Sequence, residues 1–203
     1  MSRRSLVVAI GIVILTGAAL LLMGRAPICD CGTVKFWHGA VVSSENSQHI
    51  ADWYTPSHIL HGLIFYGFLW LILRRASLGS RFVIATLIEA AWEIAENTDA
   101  VINRYREATI ALDYYGDSVL NSVADILWMW VGFALACILP VWASVLLFVV
   151  AELVVGYIIR DGLTLNVIML LAPQDWIKEW QMAGLGTCAP CHPLPASHTP
   201  GPE

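Results

Sequence analysis

Thr55-Pro56-Ser57-His58-Ile59-Leu60-His61-Gly62-Leu63-Ile64-Phe65-Tyr66-Gly67-Phe68-Leu69-Trp70-Leu71-Ile72-Leu73 decides the fold. After His61 the stretch holds only aliphatic, aromatic and glycine residues. Its length is near the ~20 residues a helix needs to cross a hydrocarbon core. Thr55 reads as an N-cap, and Pro56 fits the first helical turn, where its missing N–H is no loss. His58 and His61 are three residues apart and therefore share a helix face. The stretch reads as a membrane span that carries two histidines to one interface.

Working outward, the same pattern recurs. The spans lie at about 6–23, 56–73, 82–97, 119–139 and 141–159. Residues 163–172 are apolar over only half a span, so they read as an interfacial or re-entrant half-helix. An amphipathic piece with Trp176, Ile177 and Trp180 follows. The chain of 203 residues is 58% hydrophobic and only 13% charged, with a mean hydropathy of +0.67; a soluble domain carries about 25% charged residues. The expected fold is all-α: a polytopic membrane protein with five transmembrane helices plus one interfacial or re-entrant half-helix. Residues 1–182 form the membrane domain, and 183–203 form a flexible Pro-rich tail. A net charge of −5 excludes a basic surface for nucleic acid. The expected partners are the lipid bilayer and other membrane-complex subunits.

Leu6–Met23 is longer than the ~7–15 apolar residues of a signal peptide and reads as a retained anchor. Arg3 and Arg4 precede it, and Arg74, Arg75 and Arg81 crowd the linker between the second and third spans. Positive residues favour the cytoplasmic side. The expected location is the bacterial inner membrane, with the N-terminus cytoplasmic, segments 24–55 and 98–118 outside, and the C-terminus periplasmic.

That topology gathers the polar residues. Glu89, Glu93 and Glu96 form a stripe ending at Asn97, at the outer end of the third span. Asp117, Asn121 and Asp125 descend from the outer end of the fourth. With His58 and His61 they meet at one interface, where His49, Asp52, Asp113 and Arg104 or Arg106 could close over the top. Ionisable groups at membrane depth cost several kcal/mol each unless paired. The carboxylates therefore need protons, protonated histidine, Arg104 or Arg106, or a bound divalent metal. Two histidines with several carboxylates suit Zn, Mn or Fe, and oxygen-rich subsets suit Mg. The Glu-x-x-His spacing of di-iron bundles is absent. The expected metal ligands are His58, His61, Glu93, Glu96 and Asp117; Asn121 and Asp125 complete the catalytic set. Each residue also has a structural reading: Asp117 or Ser118 as a helix cap, Asn121, Ser122 and Asp125 as interhelical hydrogen-bonding groups, and the histidines as packing residues.

Cys188-Ala189-Pro190-Cys191-His192 has the Cys-x-x-Cys-His pattern of covalent haem c attachment. Cys188, Cys191 and His192 would bind that cofactor. A disulfide among Cys29, Cys31, Cys188 and Cys191 is one alternative. A zinc site from Cys29, Cys31, Cys188 and Cys191 or His192 is another. Cys137 reads as a packing residue.

Three stretches are distinctive: Ser47-Gln48-His49 through Asp52-Trp53-Tyr54-Thr55-Pro56-Ser57-His58 and His61-Gly62; Glu89-Ala90-Ala91-Trp92-Glu93 with Glu96-Asn97; and Asp113-Tyr114-Tyr115-Gly116-Asp117-Ser118 with Asn121-Ser122 and Asp125. Over residues 40–182 they resemble an uncharacterised family of alphaproteobacterial multi-pass inner-membrane proteins of unknown function. More loosely they are similar to VanZ-like membrane proteins, which share a histidine span, a glutamate span and a later Asp/Asn span. The tail beyond Gln181 departs from that pattern. The resemblance implies location and brings no reaction. Three functions remain open: a metal-assisted or acid/base site acting on a lipid-linked or envelope substrate, a non-catalytic accessory or assembly subunit, and a haem c carrier.

Overall fold

The structure is a computed structural model that describes residues 1–109 and 114–185. Among these, all regular structure is helical: α1 (Arg3–Leu22), α2 (Thr55–Ile72), α3 (Leu78–Glu96), α4 (Asp99–Ala108), α5 (Val119–Ile138), α6 (Val141–Ile159), α7 (Leu163–Leu171) and α8 (Asp175–Leu185). Serines set three of the starts. The hydroxyls of Ser2, Ser77 and Ser118 accept from the backbone N–H three residues on, each at 3.1 Å, satisfying one orphan donor of the first turn. Pro140 breaks the chain between α5 and α6 and stands as the N-cap of α6.

The start of α2 differs from expectation. Tyr54 is the N-cap and makes no side-chain cap bond, and Thr55 is already helical. Asp52 organises this turn: its Oδ1 accepts from Tyr54 N at 2.8 Å, and its own N–H donates to Thr55 Oγ1 at 2.9 Å.

Four helices, α1, α2, α5 and α6, are long and apolar enough to cross a membrane. The fifth expected span, 82–97, coincides with the last four-fifths of α3 and its C-cap, Asn97. It has the length, but Arg81, Glu89, Glu93 and Glu96 leave it too charged to stand beside the others on composition. Packing explains how it tolerates them, since α3 lies against α1, α2 and α5. The expected half-helix is α7. Nine residues at ~1.5 Å each span roughly 13 Å, less than half of a ~30 Å hydrocarbon layer. The 98–118 segment, read as loop, contains α4, with Thr98 at its N-cap and Ile102 and Ala108 buried.

α2 and α5 are the most extensively packed pair, and two glycines let them touch. A Cβ on Gly62 would come within 2.2 Å of the Met129 carbonyl oxygen, and one on Gly132 within 1.9 Å of the Ile59 carbonyl oxygen. Small residues at such crossings are how helices pack where lipid removes the hydrophobic drive between them. Ala9, Val13, Leu69, Phe82, Ala85, Ile126, Met129 and Phe133 fill the core that α1, α2, α3 and α5 share. The outside is apolar too: Trp142 is 70% and Tyr157 88% exposed on α6, among a run of exposed valines and leucines. An apolar belt of that extent marks an interaction surface, protein or membrane. Cys137 is on this outer face, exposed, and not packed in the core as expected.

Candidate functional site

The polar ends of α2, α3 and α5 converge as the spacing predicts. His58 Nδ1 lies 2.8 Å from Glu89 Oε1 and 3.5 Å from Glu93 Oε1, and its Nε2 lies 3.7 Å from Asp125 Oδ2. His61 Nδ1 is 3.0 Å from both Glu89 oxygens. Three overlapping triads can each direct one donor atom per residue into a space no more than 4.8 Å across: His58, His61 and Glu89; His58, Glu93 and Asp125; and Glu93, Glu96 and Asp117. Glu89, left out of the expected ligand set although it belongs to the same stripe, is the carboxylate that engages both histidines.

The charge balance is lopsided. Five carboxyl groups, on Glu89, Glu93, Glu96, Asp117 and Asp125, face two imidazoles. Arg104 and Arg106, expected as counter-ions, are turned elsewhere: they donate to the carbonyl oxygens of Leu170 and Tyr114. Glu93 is 0% exposed, and neither of its carboxylate oxygens has a hydrogen-bond donor; Asp125 Oδ1 also lacks one. Buried carboxylate oxygens without donors are costly; a proton, a protonated imidazole or a cation each relieves that cost.

Asn97 holds the frame. Its Nδ2 donates to the Glu93 carbonyl and Asp117 Oδ2, each at 3.0 Å, and to Ser122 Oγ at 3.2 Å. Its Oδ1 accepts from Asp117 N at 2.8 Å. One buried amide thus ties the end of α3 to the start of α5. Tyr114 donates to Asp117 Oδ1 at 2.8 Å. Burial pushes the Asp117 carboxyl up to about 6, against the pull of the Tyr114 and Asn97 hydrogen bonds.

Asn121, expected in the catalytic shell, sends its Nδ2 to the His49 carbonyl at 2.8 Å. Together with Gln48, which donates to the Gly116 carbonyl at 2.8 Å, it pins the 45–52 turn over the end of α5. His49 and Asp52, expected over the top, belong to this turn. His49 pairs with Glu45 at 2.9 Å, and Asp52 Oδ2 accepts from Ser47 N at 2.6 Å. The Lys35 ammonium, with His49 beside it, holds the Glu45 carboxyl down at about 2. Asp113, Cys188, Cys191, His192 and the Pro-rich tail lie outside the described residues.

A cavity of about 590 Å³ opens beside the cluster. His58, His61, Glu96, Asp117 and Asp125 line it, together with the apolar Phe65, Ile88, Val167 and Leu170. Asp161 also lines it; its Oδ2 accepts from Tyr54 at 3.4 Å and its Oδ1 from Gln181 at 3.3 Å. Burial pushes Asp161 up to about 7. Asp161 and Tyr105, which also line the cavity, escaped the sequence reading because neither is on a helix with the histidines or glutamates; no local spacing signals them.

Several known proteins are similar to this chain over most of its length. A UPF0314 protein of Paracoccus denitrificans is 60% identical over 172 residues, 85% of this chain and 89% of that one. A UPF0314 protein of Sinorhizobium fredii is 59% identical over 180 residues, 89% of this chain and 91% of that one. One from Sphingopyxis alaskensis is 51% identical over 183 residues, 90% and 97% of the two chains. No solved structure matches. The family model for DUF2585, a protein family of unknown function, matches residues 20–183, and the chain belongs to that family.

Proposed function

We propose that this is an integral protein of the bacterial inner membrane whose outward-facing His58/Glu89/Glu93/Asp125 cluster binds a divalent cation and acts on a lipid-linked or envelope substrate by metal-assisted acid/base chemistry. The observation that carries it is Glu93: a carboxylate wholly buried, without a hydrogen-bond donor, against His58 and Asp125. α1, α2, α3, α5 and α6 are the five spans, with α3 shielded by its neighbours. The N-terminus is cytoplasmic, and the cavity mouth faces the periplasm.

Within that site His58, Glu93 and Asp125 hold the cation, with Glu96 and Asp117 as the outer ligands. Glu89 engages His61 Nδ1 with both oxygens, which fixes the tautomer with the proton on Nδ1 and leaves Nε2 as the base. His61 lines the cavity, so that base meets the substrate. The cavity fits an amphiphile: a polar head against the His and carboxylate groups and a chain along Phe65, Ile88 and Leu170.

The test is a reconstitution. Purified protein in vesicles of inner-membrane lipid extract, with manganese or zinc, is followed by mass spectrometry of the lipids. A chelator-sensitive lipid-derived product from the wild type and none from Glu93→Gln is the expected result. Equal product from both, or no product from the wild type, overturns the proposal.

A further inference from the structure

A second set of donors converges away from the membrane cluster, where the segment after α1 meets the 45–49 turn. Cys29 Sγ, Cys31 Sγ, a Glu45 carboxylate oxygen and a His49 ring nitrogen lie within 4.8 Å of one another. Cys29 is 2% and His49 0% exposed. Both strands of the site are pinned to the first turn of α5: Val119 N donates to the Ala26 carbonyl at 2.8 Å and Leu120 N to the Pro27 carbonyl at 3.1 Å, and Asn121 Nδ2 reaches the His49 carbonyl at 2.8 Å. The donors are therefore held in place before any ligand arrives. His38 stands beside them, its Nδ1 3.9 Å from Glu45 Oε2, its ring centroid 5.1 Å from that of His49, and its buried Nε2 without a partner.

Two thiolates, one imidazole and one carboxylate make a four-coordinate, borderline-soft donor set of the kind zinc takes. In this structure Cys29 and Cys31 are disulfide-bonded, and a disulfide offers no thiolate. We propose that Cys29, Cys31, Glu45 and His49 form a redox-gated zinc site, closed to the metal as the disulfide and open as the dithiol. Opening takes two electrons from a dithiol reductant. Its thiolate attacks the exposed Cys31 sulfur, the Cys29–Cys31 bond breaks, a second exchange releases the reductant as its own disulfide, and two thiols remain. Zinc then replaces both thiol protons, which leave to solvent. Lys35, ion-paired with Glu45 in the disulfide form, gives up that carboxylate to the metal. Where the sequence offered Cys188, Cys191 or His192 to complete a zinc site with Cys29 and Cys31, the fold supplies Glu45 and His49.

Cobalt(II) substitution tests this on the full chain in detergent, in a Cys188→Ser/Cys191→Ser background that removes the other cysteine pair. The protein is reduced anaerobically with dithiothreitol, freed of it, and titrated with cobalt. The expected result is a thiolate-to-cobalt charge-transfer band that saturates at one equivalent beyond what the disulfide form binds, is displaced by zinc and is absent from the disulfide form. Glu45→Gln, at a partly exposed position that leaves the fold intact, and His49→Gln should each weaken binding by at least about tenfold. Glu93→Gln should leave the band unchanged, which separates this site from the membrane cluster. No thiolate band in the reduced protein, an equal band in the disulfide form, or unchanged affinity in both Glu45→Gln and His49→Gln overturns the proposal.

Discussion

His58 and Glu89 face each other across α2 and α3 with 2.8 Å between Nδ1 and Oε1, both buried. Removing Glu89 leaves the ring N–H groups of His58 and His61 buried without their acceptor, at about 1–3 kcal/mol each. Glu89→Ala should therefore lower the thermal unfolding temperature in detergent sharply. His61→Ala should lower it less, since Glu89 keeps His58. Equal thermal stability of Glu89→Ala and wild type would contradict the pairing.

The α2–α5 crossing depends on two missing side chains. Gly132→Ala would drive a Cβ into the Ile59 carbonyl oxygen and Gly62→Ala one into the Met129 carbonyl oxygen. Overpacking costs about 1–3 kcal/mol, and backbone obstacles yield less than side chains. Gly67 is on the same helix with nothing within 4 Å of a new Cβ. Gly67→Ala should instead stabilise α2 by about 0.5–1 kcal/mol, the helix preference for alanine. Opposite shifts in unfolding temperature for Gly62→Ala and Gly67→Ala are the expected pair.

Asn97 makes four hydrogen bonds in a site with surplus negative charge. Asn97→Asp is nearly isosteric but replaces two donors with an acceptor facing Asp117. It should destabilise more than Asn97→Ala, which loses the bonds without adding charge and should cost about 1–3 kcal/mol. Thermal unfolding of the two variants side by side decides it.

Asp161 sets a pH dependence. Burial raises its pKa from 3.8 to about 7 in the folded chain. Between those values the unfolded chain has released the proton and the folded chain still holds it, so stability falls as pH rises from about 4 to about 7, by about 4 kcal/mol at most, and levels off above. Asp161→Asn, which keeps the Tyr54 and Gln181 geometry without the charge, should flatten that slope. A wild-type minus Asp161→Asn stability difference that does not change between pH 5 and pH 8 would count against it.

Much of the site was legible because helix arithmetic is local. Glu89, Glu93 and Glu96 had to share a face, as had His58 and His61, and membrane-like composition put their helices together. Periodicity does not say which member of a stripe meets which partner. Glu89 proved to be the histidines' carboxylate, and the Asn121 amide reaches the His49 carbonyl, a contact that no spacing signals. The Asn121 contact depends on the 45–52 turn, whose shape comes from Asp52 and from Ser47 at φ +61°, and not from any hydrophobic pattern. α4 was missed because it is ten residues long and polar, though Thr98-Asp99 is a fair helix start. α3 carries too many charges to qualify as a span on composition, and α1, α2 and α5 pack against it.

The most direct test of the membrane cluster is metal stoichiometry by elemental mass spectrometry on detergent-purified, disulfide-form protein, in which the Cys29/Cys31 site is closed. About one divalent transition metal per chain in the wild type, lost in Glu93→Gln and in His58→Ala, is the predicted result. A wild-type protein that holds no metal after growth in metal-replete medium, or a Glu93→Gln variant that keeps its full complement, would contradict a cation site at His58, Glu93 and Asp125.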